Sequence, residues 1–226
     1  MRLSIIIPVL NEAERLPGLL QHLASLCDCE VIVVDGGSED DSRQAASRAG
    51  ARVISSKRGR ARQMNAGAAA ARGDILLFLH ADTTLPSSAE RAIEAAVRHG
   101  GRANEYAWGR FDVRITGCSL MLRVVAYLMN WRSRLTGIAT GDQAIFMTRR
   151  AFDSVSGFPD QPLMEDIELS RRLLALSRPI CLKDRVATSG RRWEAQGVWR
   201  TMWLMWRLRW AYWRGTDAAE LARLYR

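Results

Sequence analysis

The sequence is poor in cysteine and lacks any long apolar run. Its 226 residues include four cysteines, whose spacing does not resemble a disulfide framework, so we expect ordinary reduced thiols. Cys27 and Cys29 could form half of a metal site, but no second pair or nearby histidine completes it. No uncharged stretch approaches the roughly 18 apolar residues that a membrane-spanning helix needs. The opening segment is too short for a signal peptide, and we predict a cytoplasmic location.

The chain also lacks internal repeats, low-complexity segments and an obvious linker. We therefore predict one structural unit, with a main domain over 1–193 and a C-terminal amphipathic helical appendage over 194–226. Hydrophobic residues make up 48% of the chain and charged residues 25%, which is enough for a sizeable core. The net charge of +9 favours anionic partners such as phosphates, nucleic acid or an anionic membrane face.

The first half alternates apolar, β-branched runs with helical patterns. We predict buried strands over 3–9, 30–38, 52–56 and 74–79. The intervening helices are expected to open at Asn11-Glu12 and to cover roughly 39–49, 60–72 and 87–99. Strands separated by helices of this length indicate parallel βαβ units, and hence an α/β fold with a mostly parallel sheet.

The second half is less regular. Residues 108–116 alternate as a half-exposed strand would, and residues 118–135 have a helical pattern that carries several arginines. Residues 140–152 place a polar turn before a short strand and the start of a helix. A further helix is predicted over 163–176, with acids at its start and arginines further along, an order that suits the helix dipole.

Polar residues follow three of the predicted parallel strands. Asn11 and Glu12 follow the first, Asp35 to Ser38 follow the second, and His80 to Asp82 follow the fourth. Ligands bind at the C-terminal strand ends of open parallel sheets, so these three ends predict one site. Asp35 could accept from a base or a ribose, and Gly37 would let the backbone approach a ligand. Asp82 offers a carboxylate to a hard divalent cation. Each acid could instead cap a turn or helix.

Further candidates lie downstream, each with a structural alternative. Glu165 or Asp166 could act as a general base, or could simply complement a helix N-terminus. Gly141, Asp142 and Gln143 could bind the hydroxyls of a sugar-like ligand or form a plain turn. The basic cluster 57–62 could clamp phosphates near a helix N-terminus or remain a solvated turn.

Two C-terminal elements combine arginine with tryptophan. Arg191, Arg192 and Trp193 suit a pyrophosphate, or form a basic surface turn. The segment 197–215 repeats tryptophan at spacings of four and three on one helix face, with arginines every seven residues on another. Such a face is typical of an interfacial membrane helix. It could equally dock on the domain or on a second subunit.

With these residues laid out, the chain resembles the family-2 glycosyltransferases with a GT-A fold, and most closely their small, soluble bacterial members. The resemblance runs from Ser4 to about Trp193. Its elements occur in family order: IIIPVLNE, VIVVDGGSED, RGRARQMNAGAAAARGDILLFLHADT, GDQAIFMTRRAF, GFPDQPLMEDIELSRRL and SGRRW. Each element alone is weak evidence for the family, but six elements in the family order are a specific signal.

The resemblance implies a transferase, mainly inverting, that uses a nucleotide-diphosphate sugar and a divalent metal, Mn²⁺ or Mg²⁺. Asp82 would be the metal ligand of the family's Asp-x-Asp motif. Asp166, with Glu165 beside it, would be the base toward the acceptor. Residues assigned to the donor nucleotide and its diphosphate are Pro8, Asn11, Glu12, Asp35, Gly37, Arg58, Asn65, His80, Arg191, Arg192 and Trp193. Residues assigned to the acceptor or sugar are Gly141, Asp142 and Gln143.

The chain departs from the family pattern at His80, where the motif usually begins with aspartate. His80 could donate to a ribose or phosphate oxygen, or could add a nitrogen ligand that suits manganese better than magnesium. The long processive members carry spanning helices and a Gln-rich motif before Arg-Trp, and both are missing from this sequence, so polysaccharide synthesis is not expected.

Two other functions each fit part of this sequence. A nucleotidyltransferase would need a Gly-rich, Lys-bearing loop after the first strand, where this chain has NEAERLP. A non-enzymatic basic protein that binds nucleotide, nucleic acid or anionic lipid would explain the charge, but acids at three strand ends would repel phosphate without metal. We expect no nucleic-acid partner. The expected acceptor is a lipid-linked species at the inner membrane face, and a homo-oligomer is a further alternative.

Overall fold

The computed structural model describes residues 1–26, 29–98 and 105–225. Its first half alternates strands and helices much as the periodicity predicts. The strands are β1 (Leu3–Val9), β2 (Glu30–Asp35), β3 (Arg52–Ser55), β4 (Ile75–Phe78) and the two-residue β5 (Thr83–Thr84). The helices are α1 (Leu16–Leu26), α2 (Ser42–Arg48), α3 (Arg60–Ala70) and α4 (Ala89–Arg98). The ends of the predicted segments differ from these bounds by a few residues.

The second half adds three strands and six helices within the described residues. The strands are β6 (Trp108–Thr116), β7 (Ile145–Thr148) and β8 (Ile180–Ser189). The helices are α5 (Met121–Thr136), α6 (Arg149–Ser154), α7 (Glu165–Leu174), α8 (Arg191–Gln196), α9 (Val198–Trp213) and α10 (Ala218–Tyr225). A short 3-10 turn, Gly141–Gln143, precedes β7. The sequence pattern did not predict β5, β8 or the separate helix α10.

All eight strands form one sheet in the order β3-β2-β1-β4-β7-β6-β8-β5. The strands β1 to β4 are parallel to one another, as predicted. The sheet becomes mixed beyond them, because β7 is antiparallel to both β4 and β6, whereas β8 is parallel to β6. The C-terminal ends of β1, β2 and β4 therefore lie at one edge of the sheet, and that edge positions the site.

The core lies on both faces of the sheet. Ile5 and Ile7 of β1 belong to a cluster under α1, α4 and α5, whereas Ile6 belongs to a second cluster under α3, α6 and α7. This alternation is that of a strand buried on both faces. On the second face Gly67 of α3 touches β1 so closely that an added Cβ would collide with Ile6. This close approach explains why a glycine lies within an alanine-rich helix.

The prediction of a half-exposed strand at 108–116 is wrong for its first six residues and holds only at its end, where Arg114 and Thr116 are exposed. The first six residues of β6 are all buried, including Arg110, which is 0% exposed, and Asp112. Arg110 donates to Asp112, Ser133 and the carbonyl of Asn130, so helix α5 covers the strand through a polar network. Arg110 and Asp112 alternate with apolar residues because they pair inside the protein, whereas Arg114 faces water.

The cysteines differ in state. Cys118 and Cys181 are free, as expected for reduced thiols. Cys29 is disulfide-bonded, so that expectation is wrong for this residue. Cys27, the other half of the weak metal-site hypothesis, lies outside the described residues.

Helices in the described parts of the chain are all too short or too polar to cross a membrane.

Candidate functional site

The loops after β1 and β2 are tied together by hydrogen bonds. The backbone N–H of Asn11 donates to Ser38 Oγ at 3.0 Å, and the N–H of Glu39 donates to Asn11 Oδ1 at 2.9 Å. The N–H of Glu12 donates to Ser42 Oγ at 2.7 Å. Asn11 has a φ of 56°, a left-handed conformation that asparagine tolerates better than most residues. The predicted convergence of these two strand ends is therefore present.

Asp35 holds the turn that follows β2. Its carboxylate is 2% exposed and accepts from the backbone N–H groups of Gly37 and Ser38, both at 3.1 Å. Gly37 has a φ of 91°, which favours glycine. The turn-capping alternative for Asp35 is thus what the structure contains. Pro8, opposite Val34 in the parallel register, lies in the strand one place before this edge.

Gln63 was missed by the sequence interpretation. Its buried Nε2 donates to the carbonyls of Val9 and Val34, both at 2.8 Å, and so joins the ends of β1 and β2 to α3. An added Cβ at Gly36 would lie 2.9 Å from the Gln63 amide, so glycine is needed opposite it. A single glutamine in an alanine-rich helix gives no pattern from which this role could be read.

Nine of the predicted site residues do not line the cavity described below: Pro8, Asn11, Glu12, Asp35 and Gly37 at the ends of β1 and β2, and Arg58, Asn65, Gln143 and Arg191 elsewhere. Arg58 and Arg191 are exposed and lie outside the lining of the cavity described below. The Asn65 amide is used by Phe158, donating to its carbonyl at 2.8 Å and accepting from its N–H at 2.9 Å. Gln143 is fully buried and accepts from the N–H of Thr140 at 3.2 Å. For Asn65 and Gln143 these contacts indicate a structural role instead of the ligand-facing one predicted.

The other eight predicted residues line one cavity of about 570 Å³ beside the end of β4. It collects candidates for the metal ligand, the base, the acceptor contact and the diphosphate contact. These are His80, Asp82, Gly141, Asp142, Glu165, Asp166, Arg192 and Trp193. Residues separated by more than a hundred positions in the chain therefore share a single space.

His80 is directed toward the 3-10 turn. Its Nδ1 lies 3.4 Å from Asp142 Oδ1. An added Cβ at Gly141 would lie 2.5 Å from the imidazole ring, so the glycine gives the ring room. Burial works to raise the pKa of Asp142, but the hydrogen bond and charge of His80, together with Arg60 and Arg209, hold it below its usual value. The Asp142 carboxylate is therefore ionised and orients His80.

Glu165 and Asp166 occupy different environments. Glu165 is 3% exposed, and its Oε1 lies 3.3 Å from Arg60 Nη1. Burial and the adjacent charge of Asp166 raise the pKa of Glu165, although Arg60 opposes the shift. Asp166 accepts from the N–H of Gly141 at 2.9 Å and from its neighbour Ile167 at 2.8 Å. Asp166 is thus held by backbone donors with one carboxylate oxygen toward the 3-10 turn.

Arginines from later helices complete the cavity wall. Arg132 of α5 and Arg209 of α9 line it, and Arg192 of α8 stacks on the ring of Tyr225 at 3.8 Å. Arg132 stood out in the sequence as a charge within a helical pattern. Arg209 falls outside the seven-residue repeat that begins at Arg200, so no pattern marked it. Local sequence does not determine that either side chain lies near the acids.

Asp82 is the residue best placed for a metal ion. Its side chain is exposed at the cavity, directly after β4. Across residues 1–26, 29–98 and 105–225, no group of three or more His, Cys, Asp and Glu side chains is arranged to hold a metal. Magnesium-like ions in nucleotide sites commonly take one or two carboxylates plus substrate phosphates. A single accessible aspartate fits that mode and does not fit an all-protein metal cage.

Comparison with known proteins gives a family and a fold. The family model described as "Glycosyl transferase family 2" matches residues 4–155. Among curated proteins, an undecaprenyl-phosphate 4-deoxy-4-formamido-L-arabinose transferase of Aeromonas hydrophila is 35% identical over 109 residues, which is 42% of this chain and 33% of that protein. The chain thus spans about a third of the length of this curated relative.

Two solved structures are similar in fold. Glucosyl-3-phosphoglycerate synthase from Mycobacterium tuberculosis, in complex with Mn²⁺ and UDP-glucose, aligns with a TM-score of 0.59 at 18% identity, over 83% of this chain and 70% of that one. Residues 1–349 of S. aureus TarS, in complex with UDP-GlcNAc, align with a TM-score of 0.63 at 17% identity, over 84% of this chain and 58% of that one.

The eight-stranded mixed sheet with its helical C-terminal region matches these GT-A structures, so the predicted GT-A fold is confirmed. The family match covers more than half of the chain and includes the three strand ends that form the edge of the site. The chain belongs to glycosyl transferase family 2.

Proposed function

We propose that the protein transfers a sugar from a nucleotide-diphosphate sugar to an acceptor, with the help of a divalent metal ion. The observation that carries this proposal is the single cavity shared by Asp82, Asp166 and Arg192. A metal-ligating carboxylate, a general base and a diphosphate-binding guanidinium are what such a transfer requires. The related structures bound to UDP-glucose with Mn²⁺ and to UDP-GlcNAc support the donor class.

The base in this mechanism is Asp166. Its carboxylate is fixed by backbone N–H groups from two elements, and each oxygen keeps a lone pair for the substrate. An acceptor hydroxyl gives its proton to Asp166 as its oxygen attacks the anomeric carbon, whereas an acceptor phosphate attacks through an oxygen that is already ionised. The bond from that carbon to the diphosphate oxygen breaks, and the electron pair leaves with the diphosphate.

The remaining cavity groups handle charge and orientation. A divalent metal bound at Asp82 would supply positive charge to the departing diphosphate. Arg192, held by Tyr225, places a guanidinium in the same space. Glu165 positions Arg60, and its raised pKa reflects burial beside Asp166. His80 contacts Asp142 in the 3-10 turn. This contact favours an orienting role for His80 over metal ligation.

We further propose that the acceptor is lipid-linked and is met at a membrane surface. The five tryptophans of the repeat in α9 are between 59% and 80% exposed. Helix α9 contacts α5, whose Leu128 and Trp131 are exposed at the rim of the same cavity, as is Trp206 of α9. The net charge of +9 complements an anionic lipid surface. The curated relative named for undecaprenyl phosphate supports this acceptor class.

The test is calorimetry with a panel of nucleotide sugars, with and without Mn²⁺, on the native protein and on Asp82→Asn. We expect one donor to bind only with metal and to lose at least tenfold affinity in the variant. Asp184→Asn, whose carboxylate accepts from Ser88 outside the cavity, is the matched control and should bind normally. Unchanged metal-dependent binding in Asp82→Asn would remove the proposed role of Asp82.

A further inference from the structure

Buried side-chain polar atoms without a hydrogen-bond partner are concentrated at one place. In the part of the chain that the structure describes, they are Nε and Nη2 of Arg132, Nε of Arg192, Oγ1 of Thr201 and Nε of Arg209. All four residues line the cavity that contains Asp82 and Asp166. Four of these five atoms are guanidinium nitrogens, which can only donate. Native proteins usually pair such groups, so the cavity is built to receive an acceptor of hydrogen bonds.

The unpaired donors come from separate elements that converge. Arg132 belongs to α5, whereas Thr201 and Arg209 belong to α9. Arg192 is partly used, since it donates to the hydroxyl and the carbonyl of Tyr225. No ion pair engages Arg132 or Arg209 anywhere in residues 1–26, 29–98 and 105–225, although ten other arginines of those segments form one.

The electrostatics agree with the geometry. Burial, followed by the charge of Arg209, lowers the pKa of Arg132 to about 9. Burial also lowers the pKa of Arg209, although Asp166 and Asp142 oppose the shift. Two partly buried cations that repel each other are stabilised when an anion binds between them. Asp166 works to raise the pKa of both arginines, so both lie within electrostatic reach of the proposed base.

We propose that Arg132, Arg209 and Thr201 bind a phosphate group carried by the acceptor. This inference rests on the proposed glycosyl transfer. Two guanidiniums without a direct ion pair in the described residues match the double charge of a phosphate monoester, and guanidinium forks suit its oxygens. The phosphate of a lipid and that of a small soluble metabolite share this chemistry.

The position of the arginines favours the acceptor over the donor diphosphate. The candidates for donor binding follow β1, β2 and β4. The family resemblance assigns Arg192 to the donor diphosphate as well. Arg132 and Arg209 instead lie on α5 and α9, the helices whose exposed Leu128, Trp131 and Trp206 rim the cavity. A phosphate held there would leave the rest of the acceptor directed toward that apolar rim.

The test measures binding of three probes by calorimetry in detergent micelles: farnesyl phosphate, glycerol 3-phosphate and uncharged farnesol. Farnesyl phosphate or glycerol 3-phosphate should bind, and Arg132→Gln and Arg209→Gln should each weaken that binding at least tenfold. The variant Arg132→Lys, which keeps the charge but not the fork, should lose less. The matched controls are Arg123→Gln on α5 and Arg200→Gln on α9, both exposed, which should stay within about twofold. Thermal melting of each variant shows that it remains folded.

The two phosphate probes distinguish the source of the phosphate. Tighter binding of farnesyl phosphate indicates a lipid acceptor, and tighter binding of glycerol 3-phosphate indicates a soluble one; either result supports the subsite. Equal binding of farnesol and farnesyl phosphate would overturn it. The proposal would also be overturned if Arg132→Gln and Arg209→Gln lost metal-dependent nucleoside diphosphate binding as much as they lost binding of the phosphate probes. The arginines would then bind the donor. Phosphate binding without any sugar transfer would refute the proposed function and leave the subsite standing.

Discussion

Asp166 shows how one carboxylate is prepared for its role by its neighbours. Two backbone N–H groups orient it, whereas Glu165 beside it is buried and paired with Arg60. We expect Asp166→Asn to bind the donor normally and to transfer sugar about 10² to 10⁴ times more slowly, the usual contribution of a general base. Steady-state transfer and calorimetry with the donor provide the two measurements.

The control for this prediction is Asp153→Asn, an exposed acid of α6 outside the cavity, which should transfer at the native rate. If Asp166→Asn retained full transfer, the base would have to be another group.

Single residues were predictable from sequence where a strand end or a family motif marked them. Asp82, His80 and Asp166 could be named because each follows an apolar run or begins an acidic helix. Gln63 and Arg209 could not be named, since their roles depend on which chain segments pack against them. Their contacts are set by tertiary structure, which local patterns do not encode.

At the scale of elements, the contact between β6 and α5 depends on a buried charged network. Asp112 accepts from Arg110 and, at 2.6 and 3.0 Å, from Arg134. We expect Asp112→Asn to lower the free energy of unfolding by about 3–5 kcal/mol, because Arg110 would remain buried without its counter-charge. Urea unfolding followed by circular dichroism measures the change.

The double variant Arg110→Met with Asp112→Asn is the comparison for that prediction. It removes the unpaired buried charge of Arg110 and should recover part of the lost free energy of unfolding. A double variant less stable than Asp112→Asn alone would show that Arg110 stabilises the protein by packing and not through its charge.

The same network explains a sequence-based error. Alternation of charged and apolar residues in β6 predicted a strand with one face in water, yet that face is covered at Arg110 and Asp112 and open only at Arg114 and Thr116. Period-two alternation reports two different faces but does not say what lies on the polar one. Paired charges under a helix and solvated charges at a surface look the same in sequence. The parallel strands β1 to β4 were easier to predict from sequence, because their continuous apolar runs have few other structural interpretations.

At the scale of the whole molecule, exposed tryptophan and arginine should govern membrane binding. We expect the native protein to float with vesicles that contain anionic phospholipid. A variant with three exposed tryptophans of α9 changed to serine should lose most of that binding, since the apolar side chains no longer enter the lipid. The three are Trp199, Trp203 and Trp210, all at least 59% exposed.

Charge provides the matched control. Replacing three exposed arginines beside the tryptophans with glutamine should weaken flotation, whereas the same replacement on α2 and α4 should not. The first set is Arg200, Arg207 and Arg214, and the second is Arg43, Arg48 and Arg91. Equal losses in both sets would mean that net charge alone attracts the protein to lipid and that the α9 face has no special role.

The cavity has walls from two separate stretches of the chain. The strand ends and the 3-10 turn lie before residue 155, within the part that the family model matches, whereas α8, α9 and α10 lie after it. Under the proposed function, substitutions in α9, which carries Thr201 and Arg209, would change which acceptors fit while leaving the donor contacts in place. Acceptor preference could therefore diverge among related proteins without altering the chemistry of sugar transfer.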